Sequence, residues 1–265
     1  MKKVNCLLLI VLLSFVTNSF AQTNNVKDNV IIFYITRHGK TILNTLEQAQ
    51  GWADTPLTPS GIEVAKYLGL GLQAENIQFK SVYTSDLGRT RETARVVLDI
   101  KGQDIPITEV FGLREFCFGS YEGKPDSKMW GDIALYLHYK SMQDMMRDFS
   151  NKPYLMEKAT TSLKELDTLG MAEDYPTVRA RTQKALQEIA IKEVQTGGGN
   201  VLVVTHGMAI MALLKDLDST GKISGGMIDN ASVSKVIYKD GRFFVESVGD
   251  MSYVENGKEI LSNNR

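Results

Sequence analysis

Val30 to Thr36 (VIIFYIT), running straight into Arg37-His38-Gly39, is the stretch on which the fold turns. A run this apolar, with no polar alternation, suits a strand buried on both faces in the middle of a parallel sheet. Val201 to Thr205 (VLVVT) reads the same way and also ends in a His-Gly pair, His206-Gly207. Ser81 to Thr84 (SVYT) and Ile105 to Thr108 are shorter strand candidates. Helical patterns lie between these runs. Thr58-Pro59 opens one that reaches about Gln73, with Thr58 as N-cap and Pro59 in the first turn. Arg89 to Leu98, Tyr175 to about Val194 and Met208 to Lys215 are the others. Near the C-terminus, Asp240-Gly241 predicts a hairpin between Val233–Tyr238 and Phe243–Ser247. Strands alternating with helices predict an α/β fold with a doubly wound, mostly parallel sheet and helices on both faces.

From Gly112 to Asp174 the alternation lapses. Met129, Met142, Met145, Met146 and Met156 are interspersed with Trp130, Tyr136, Tyr139 and Tyr154. Two or three helices are expected here, as a helical cap insertion over about 116–174. Such a segment either adds core or supplies an adaptable Met-rich wall over a site.

The chain has three histidines, His38, His138 and His206, and two of them close apolar strands. Ligands of open α/β sheets bind beyond the carboxyl ends of the strands. Helix N-termini point there too and favour anions. Two imidazoles, with Arg37 beside one of them, are therefore expected to converge on an anion. Arg89 follows the SVYT strand in Ser85-Asp86-Leu87-Gly88-Arg89, where its guanidinium can form a planar fork onto phosphate oxygens. Arg91 and Arg95 read as surface residues. Glu115, in Leu113-Arg114-Glu115-Phe116, is either a proton donor in an apolar setting or an exposed loop carboxylate. Asp86 is the next candidate for the acid.

Composition narrows the classes. The 265 residues carry 30 Lys+Arg against 31 Asp+Glu, which leaves no basic stripe for nucleic acid. Hydrophobic content is 43%, enough for a sizeable core. Lys2 and Lys3 precede the apolar run Cys6 to Val16, and Ser19-Phe20-Ala21 offers small residues at a cleavage site. That pattern predicts a signal peptide over 1–21, cleaved after Ala21, and an exported protein, periplasmic or secreted, with no membrane attachment afterwards. The mature part, 22–265, would keep Cys117 as its one thiol. No metal site is expected, because no HxH or ExxH spacing occurs.

Arg37-His38-Gly39-Lys40-Thr41 with Asn44 resembles the RHG signature of the histidine phosphatase superfamily, the phosphoglycerate mutase-like proteins of branch 1. Gln50 to Thr58 (QGWADTPLT), Ser85 to Thr93 (SDLGRTRET), Leu113 to Gly123 (LREFCFGSYEG), Thr205-His206-Gly207 and Asn230 to Val233 are similar to the blocks that follow, in order. The resemblance implies that His38 becomes phosphohistidine. It also implies that Arg37, Arg89 and His206 hold the phosphoryl oxygens, with Asn44 and Gly207 at the substrate, and that Glu115 is the general acid. It implies no cofactor and a small phosphorylated substrate, and it leaves oligomeric state open. Lys40 stands where the family often has Glu or Gln, and it either faces the pocket or points to solvent. The motifs leave open a phosphatase, a phosphoglycerate mutase or an inactive phosphate-binding module. The signal peptide favours the phosphatase, since glycolytic intermediates are cytosolic. The presence of every expected group argues against the inactive module.

Overall fold

The computed structural model describes residues 29–149, 152, 154–217 and 228–263. The reading of 1–21 as a signal peptide lies outside them. Six strands form one sheet: β1 (Ile31–Arg37), β2 (Phe79–Thr84), β3 (Ile107–Glu109), β4 (Gly199–Thr205), β5 (Val233–Lys239) and β6 (Arg242–Asp250), in the order β3-β2-β4-β1-β5-β6. β3, β2, β4 and β1 run parallel, and β5 and β6 add an antiparallel hairpin at one edge.

The unbroken apolar strands do what their sequence asks. Ile31, Phe33 and Ile35 of β1 and Val201 and Val203 of β4 join one buried cluster with Leu186, Ile189 and Ile210. Those last three come from α7 (Tyr175–Gln195) and α8 (Gly207–Leu214). Tyr34, Leu202 and Val204, on the opposite face, pack with Leu68, Val97 and Val254. These come from α2 (Pro59–Ala74), α3 (Gly88–Lys101) and α9 (Ser252–Asn263). Successive side chains leave a strand on opposite faces, so each strand feeds both layers.

Local signals set most of the ends. The Thr58 hydroxyl accepts from Gly61 N–H at 3.1 Å, and Asp174 accepts from Thr177 N–H at 3.0 Å at the start of α7. Asp240 and Gly241 both have positive φ, 51° and 77°, which matches the twist of the tight hairpin. β3 starts at Ile107, not at Ile105, because Pro106 has no N–H to give a ladder. β6 reaches Asp250, beyond the expected Ser247. α9 was not expected from the sequence. It closes on α2 through Gly71 and Gly257, where a Cβ on either would meet the backbone carbonyl of Tyr253 or Tyr67.

Between β3 and α7 stand α4 (Asp126–Tyr136), α5 (Met142–Phe149) and α6 (Leu155–Leu166). They enclose a third apolar cluster, in which Met129, Ile133, Met145, Leu155 and Leu163 pack with Phe116, Phe118 and Tyr175. Among the described residues no helix is long and apolar enough to cross a membrane.

Candidate active site

Strand register brings the two histidines together. Arg37 of β1 is level with Thr205 of β4, so His38 and His206 leave the sheet side by side, ring centroids 5.2 Å apart. His38 N–H donates to Thr205 O at 3.0 Å, and the Asn230 amide donates to His38 O at 2.7 Å. Gly39 is needed for close approach, but to protein and not to ligand. A Cβ there would collide with the Gly61 carbonyl, and Gly39 N–H donates to the Thr93 hydroxyl at 3.0 Å.

Partners fix the tautomers. The Gly39 carbonyl, 2.8 Å from His38 Nδ1, can only accept, so Nδ1 carries the proton and Nε2 is left with its lone pair. Arg89 Nε lies 3.2 Å from His38 Nε2 and 3.2 Å from His206 Nδ1, donating to both. His206 Nε2–H then donates to Ser85 Oγ at 2.9 Å. Both imidazoles are buried. Burial first, then the charge of Arg89, holds each well below the usual histidine range. The site therefore contains two neutral rings, and His206 is not the cationic imidazole that phosphate binding asks for until an anion arrives.

Arg89 is 1% exposed, and a buried charge needs compensation worth several kcal/mol. Asp54 supplies it at 3.0 Å, while the carbonyls of Ala53 and Gly51 take further donors at 3.0 and 2.7 Å. The expected free fork is thus largely spent on the 51–54 loop, and Nε–H is shared between the two imidazoles, leaving one Nη2–H for a ligand. Glu122 holds that loop from below, its carboxylate accepting from the N–H groups of Gly51, Trp52 and Ala53 at 3.0, 2.7 and 2.9 Å. Arg37 donates through Nη1 to Ile228 O at 2.6 Å. Its Nε is buried with no hydrogen-bond partner among the described residues. A buried donor left open beside His38 is what an anion site offers before its anion binds.

Glu115 is buried, not an exposed loop residue. Its Oε1 accepts from Phe116 and Ala209 N–H at 3.0 and 2.8 Å, and Oε2 accepts from Met208 N–H at 3.1 Å. It thus caps α8, whose own N-cap, His206, makes no side-chain cap bond. Burial outweighs these donors and pushes the carboxyl above its ordinary value, toward the protonated form. Asp86 goes the other way. Arg114 grips it bidentately at 2.6 and 2.8 Å and holds its carboxyl low, which unsuits it as an acid. Arg181 steadies the Glu115 segment by donating to the carbonyls of Arg114 and Glu115, both at 2.7 Å.

Asn44 uses Oδ1 to accept from Thr41 N–H at 3.3 Å at the start of α1 (Ile42–Thr45). It lines a cavity of about 150 Å³ with Arg37, Glu115, Gly207, Met129, Trp130 and Met156. That cavity joins the strand ends to the helices of the insertion. Lys40 is exposed, as the solvent-facing reading has it, and so is Arg95; Arg91 pairs with Glu109 at 2.9 Å on the surface. Among the described residues no three His, Cys, Asp or Glu side chains gather as a metal site. Ser85, Asp54, Glu122, Arg181 and Asn230 had no role assigned from the sequence. All but Arg181 carried a signal, as polar residues inside the quoted motifs.

A family model described as the histidine phosphatase superfamily (branch 1) matches residues 33–251. The crystal structure of a phosphoglycerate mutase from Bacillus anthracis superposes with a TM-score of 0.79 and 40% identity, covering 88% of this chain and 99% of that one. A broad-specificity phosphatase of Saccharomyces cerevisiae is 29% identical over 248 residues, 91% of this chain and 95% of its own. A metal-independent phosphoserine phosphatase of Arabidopsis thaliana is 28% identical over 238 residues, 89% of each.

Proposed function

The chain belongs to branch 1 of the histidine phosphatase superfamily, and from that premise we propose that it is an exported phosphomonoester phosphatase working through a phosphohistidine on His38. The observation that carries the reading is the anchoring of His38 Nδ1–H on the Gly39 carbonyl. It leaves a neutral Nε2 facing Arg89 as the nucleophile. The Nε2 lone pair, released from Arg89 Nε–H, attacks phosphorus, and the bond to the leaving oxygen breaks as that oxygen takes the Glu115 proton. The Glu115 carboxylate next takes a proton from water, whose oxygen attacks phosphorus. The P–N bond then breaks and inorganic phosphate leaves. Arg37 Nε and the remaining Arg89 Nη2–H meet the phosphoryl oxygens near the N-terminal end of α8, which is the positive surround this transfer needs. His206 joins them by taking at Nδ1 the proton of an ester that enters as the monoanion, and then donates it to a phosphoryl oxygen.

Phosphate release from purified mature protein tests this. A panel of sugar phosphates, nucleotides, phosphoglycerates and phytate, run in excess chelator, should show full activity on at least one ester. Activity that disappears in chelator and returns with zinc or magnesium would overturn the scheme. A second reading, return of the phosphoryl group to a phosphoglycerate, is favoured by the 40% identity to the Bacillus anthracis mutase. Product analysis separates the two, since a mutase interconverts phosphoglycerates faster than it releases phosphate. Export rests on Lys2, Lys3, the Cys6–Val16 run and Ala21. Mass spectrometry of the native protein is expected to find a chain starting at Gln22, outside the cytoplasm; an intact N-terminus in the cytosol would end that part of the proposal.

A further inference from the structure

The cavity beyond the phosphoryl site is where an ester's alcohol must sit, and its charges are lopsided. Arg37 is the one cation lining it among the described residues, and Arg37 is already committed to the phosphoryl side. Asp126, the first residue of α4, lines the same cavity. Its backbone N–H donates to Glu47 O at 2.8 Å, and Gln48 pairs with Pro125 in an isolated bridge. The carboxylate is thus carried on a fixed backbone. That carboxylate is half-buried and has no hydrogen-bond or ion-pair partner among the described residues. Burial and the nearby Glu47 both disfavour its charge, while Arg37 favours it. Met129, Trp130 and Met156 make the remaining wall apolar and adaptable. The volume, about 150 Å³, is well under the roughly 300 Å³ at the lower end for drug-sized ligands. It suits an alcohol of a few heavy atoms.

We propose that Asp126 determines specificity by accepting a hydrogen bond from the alcohol part of the ester, selecting small cationic alcohols and disfavouring alcohols that carry a second anionic group. This rests on the phosphatase reading. A half-buried carboxylate with no protein partner stabilises a donor that reaches it and repels a carboxylate or second phosphate placed there. Phosphoethanolamine, which presents an ammonium a few bonds from the phosphate, is the matched probe. 3-Phosphoglycerate is the mismatched one, and nitrophenyl phosphate, with neither ammonium nor carboxylate, is the reference.

The experiment measures kcat/KM for all three on the wild-type protein and on Asp126→Asn. The wild type should prefer phosphoethanolamine to 3-phosphoglycerate. In Asp126→Asn the ratio of phosphoethanolamine to nitrophenyl phosphate should fall by about ten- to a hundredfold, the range for losing a hydrogen bond to a charged group. The penalty on 3-phosphoglycerate should shrink in the same variant. A wild-type preference for 3-phosphoglycerate, or a loss in Asp126→Asn that is equal for all three esters, would overturn the assignment while leaving the phosphatase reading intact. Failure of the wild type on every ester of the functional panel and on these three would instead sink the phosphatase reading, and this subsite with it.

Discussion

His38→Ala is expected to abolish turnover, lowering kcat by about 10⁴- to 10⁶-fold, the scale on which removing a covalent nucleophile acts. Neutral Nε2 lies beside Arg89 Nε at 3.2 Å, and its ring is fixed by Nδ1–H donating to the Gly39 carbonyl at 2.8 Å. His206 Nδ1 shares the same Arg89 hydrogen bond, but its other nitrogen is held by the Ser85 hydroxyl and not by a backbone carbonyl. Rapid quenching of the wild type with labelled substrate should give an acid-labile, base-stable label on His38, absent from the variant. Substantial turnover by His38→Ala would mean that water attacks the ester directly.

Glu115→Gln is expected to slow the first transfer from alkyl phosphates by about 10²- to 10⁴-fold, the usual span of general acid catalysis. Transfer from nitrophenyl phosphate should slow far less, because a nitrophenolate leaves without a proton and an alkoxide does not. The comparison belongs in single-turnover bursts, since Glu115 also serves the water step. The pH profile provides a second check. Glu115 must start protonated, and burial raises its pKa, so kcat/KM for alkyl phosphates should fall as pH rises through that raised value. His38 must start neutral, and its pKa is depressed, so the acid limb should lie well below the usual histidine range. Glu115→Gln should erase the basic limb for alkyl phosphates. Equal slowing of both ester types would make Glu115 a positioning residue.

Where the sequence could be read, the cause was local. β1 and β4 announce themselves because burial on both faces leaves no polar alternation in the run. Thr58-Pro59 and Asp240-Gly241 carry their turn chemistry within a few residues. What stayed hidden depends on partners far along the chain. The Arg89 fork looked free until Gly51, Ala53 and Asp54 were found to occupy it, more than 30 residues away. Glu115 looked like a surface residue because its acceptors' donors sit at the start of α8, 93 and 94 positions later. The charge of His206 depends on burial and on Arg89, neither of which periodicity encodes. α9 was missed because its docking on α2 rests on two glycines meeting backbone, with only a modest apolar stripe to signal it.

The third apolar cluster has a consequence for how this scaffold changes over generations. The reacting groups hang from strand ends buttressed by the two clusters on the faces of the sheet. Met129, Trp130 and Met156, which wall the leaving-group space, belong to the separate cluster of the insertion. A mutation there repacks first against α4 to α6, while the spacing of His38, Arg89 and His206 rests on the other two clusters. Substrate preference can therefore drift by single steps that keep the chemistry running, and a lineage can acquire a new ester without passing through a dead intermediate.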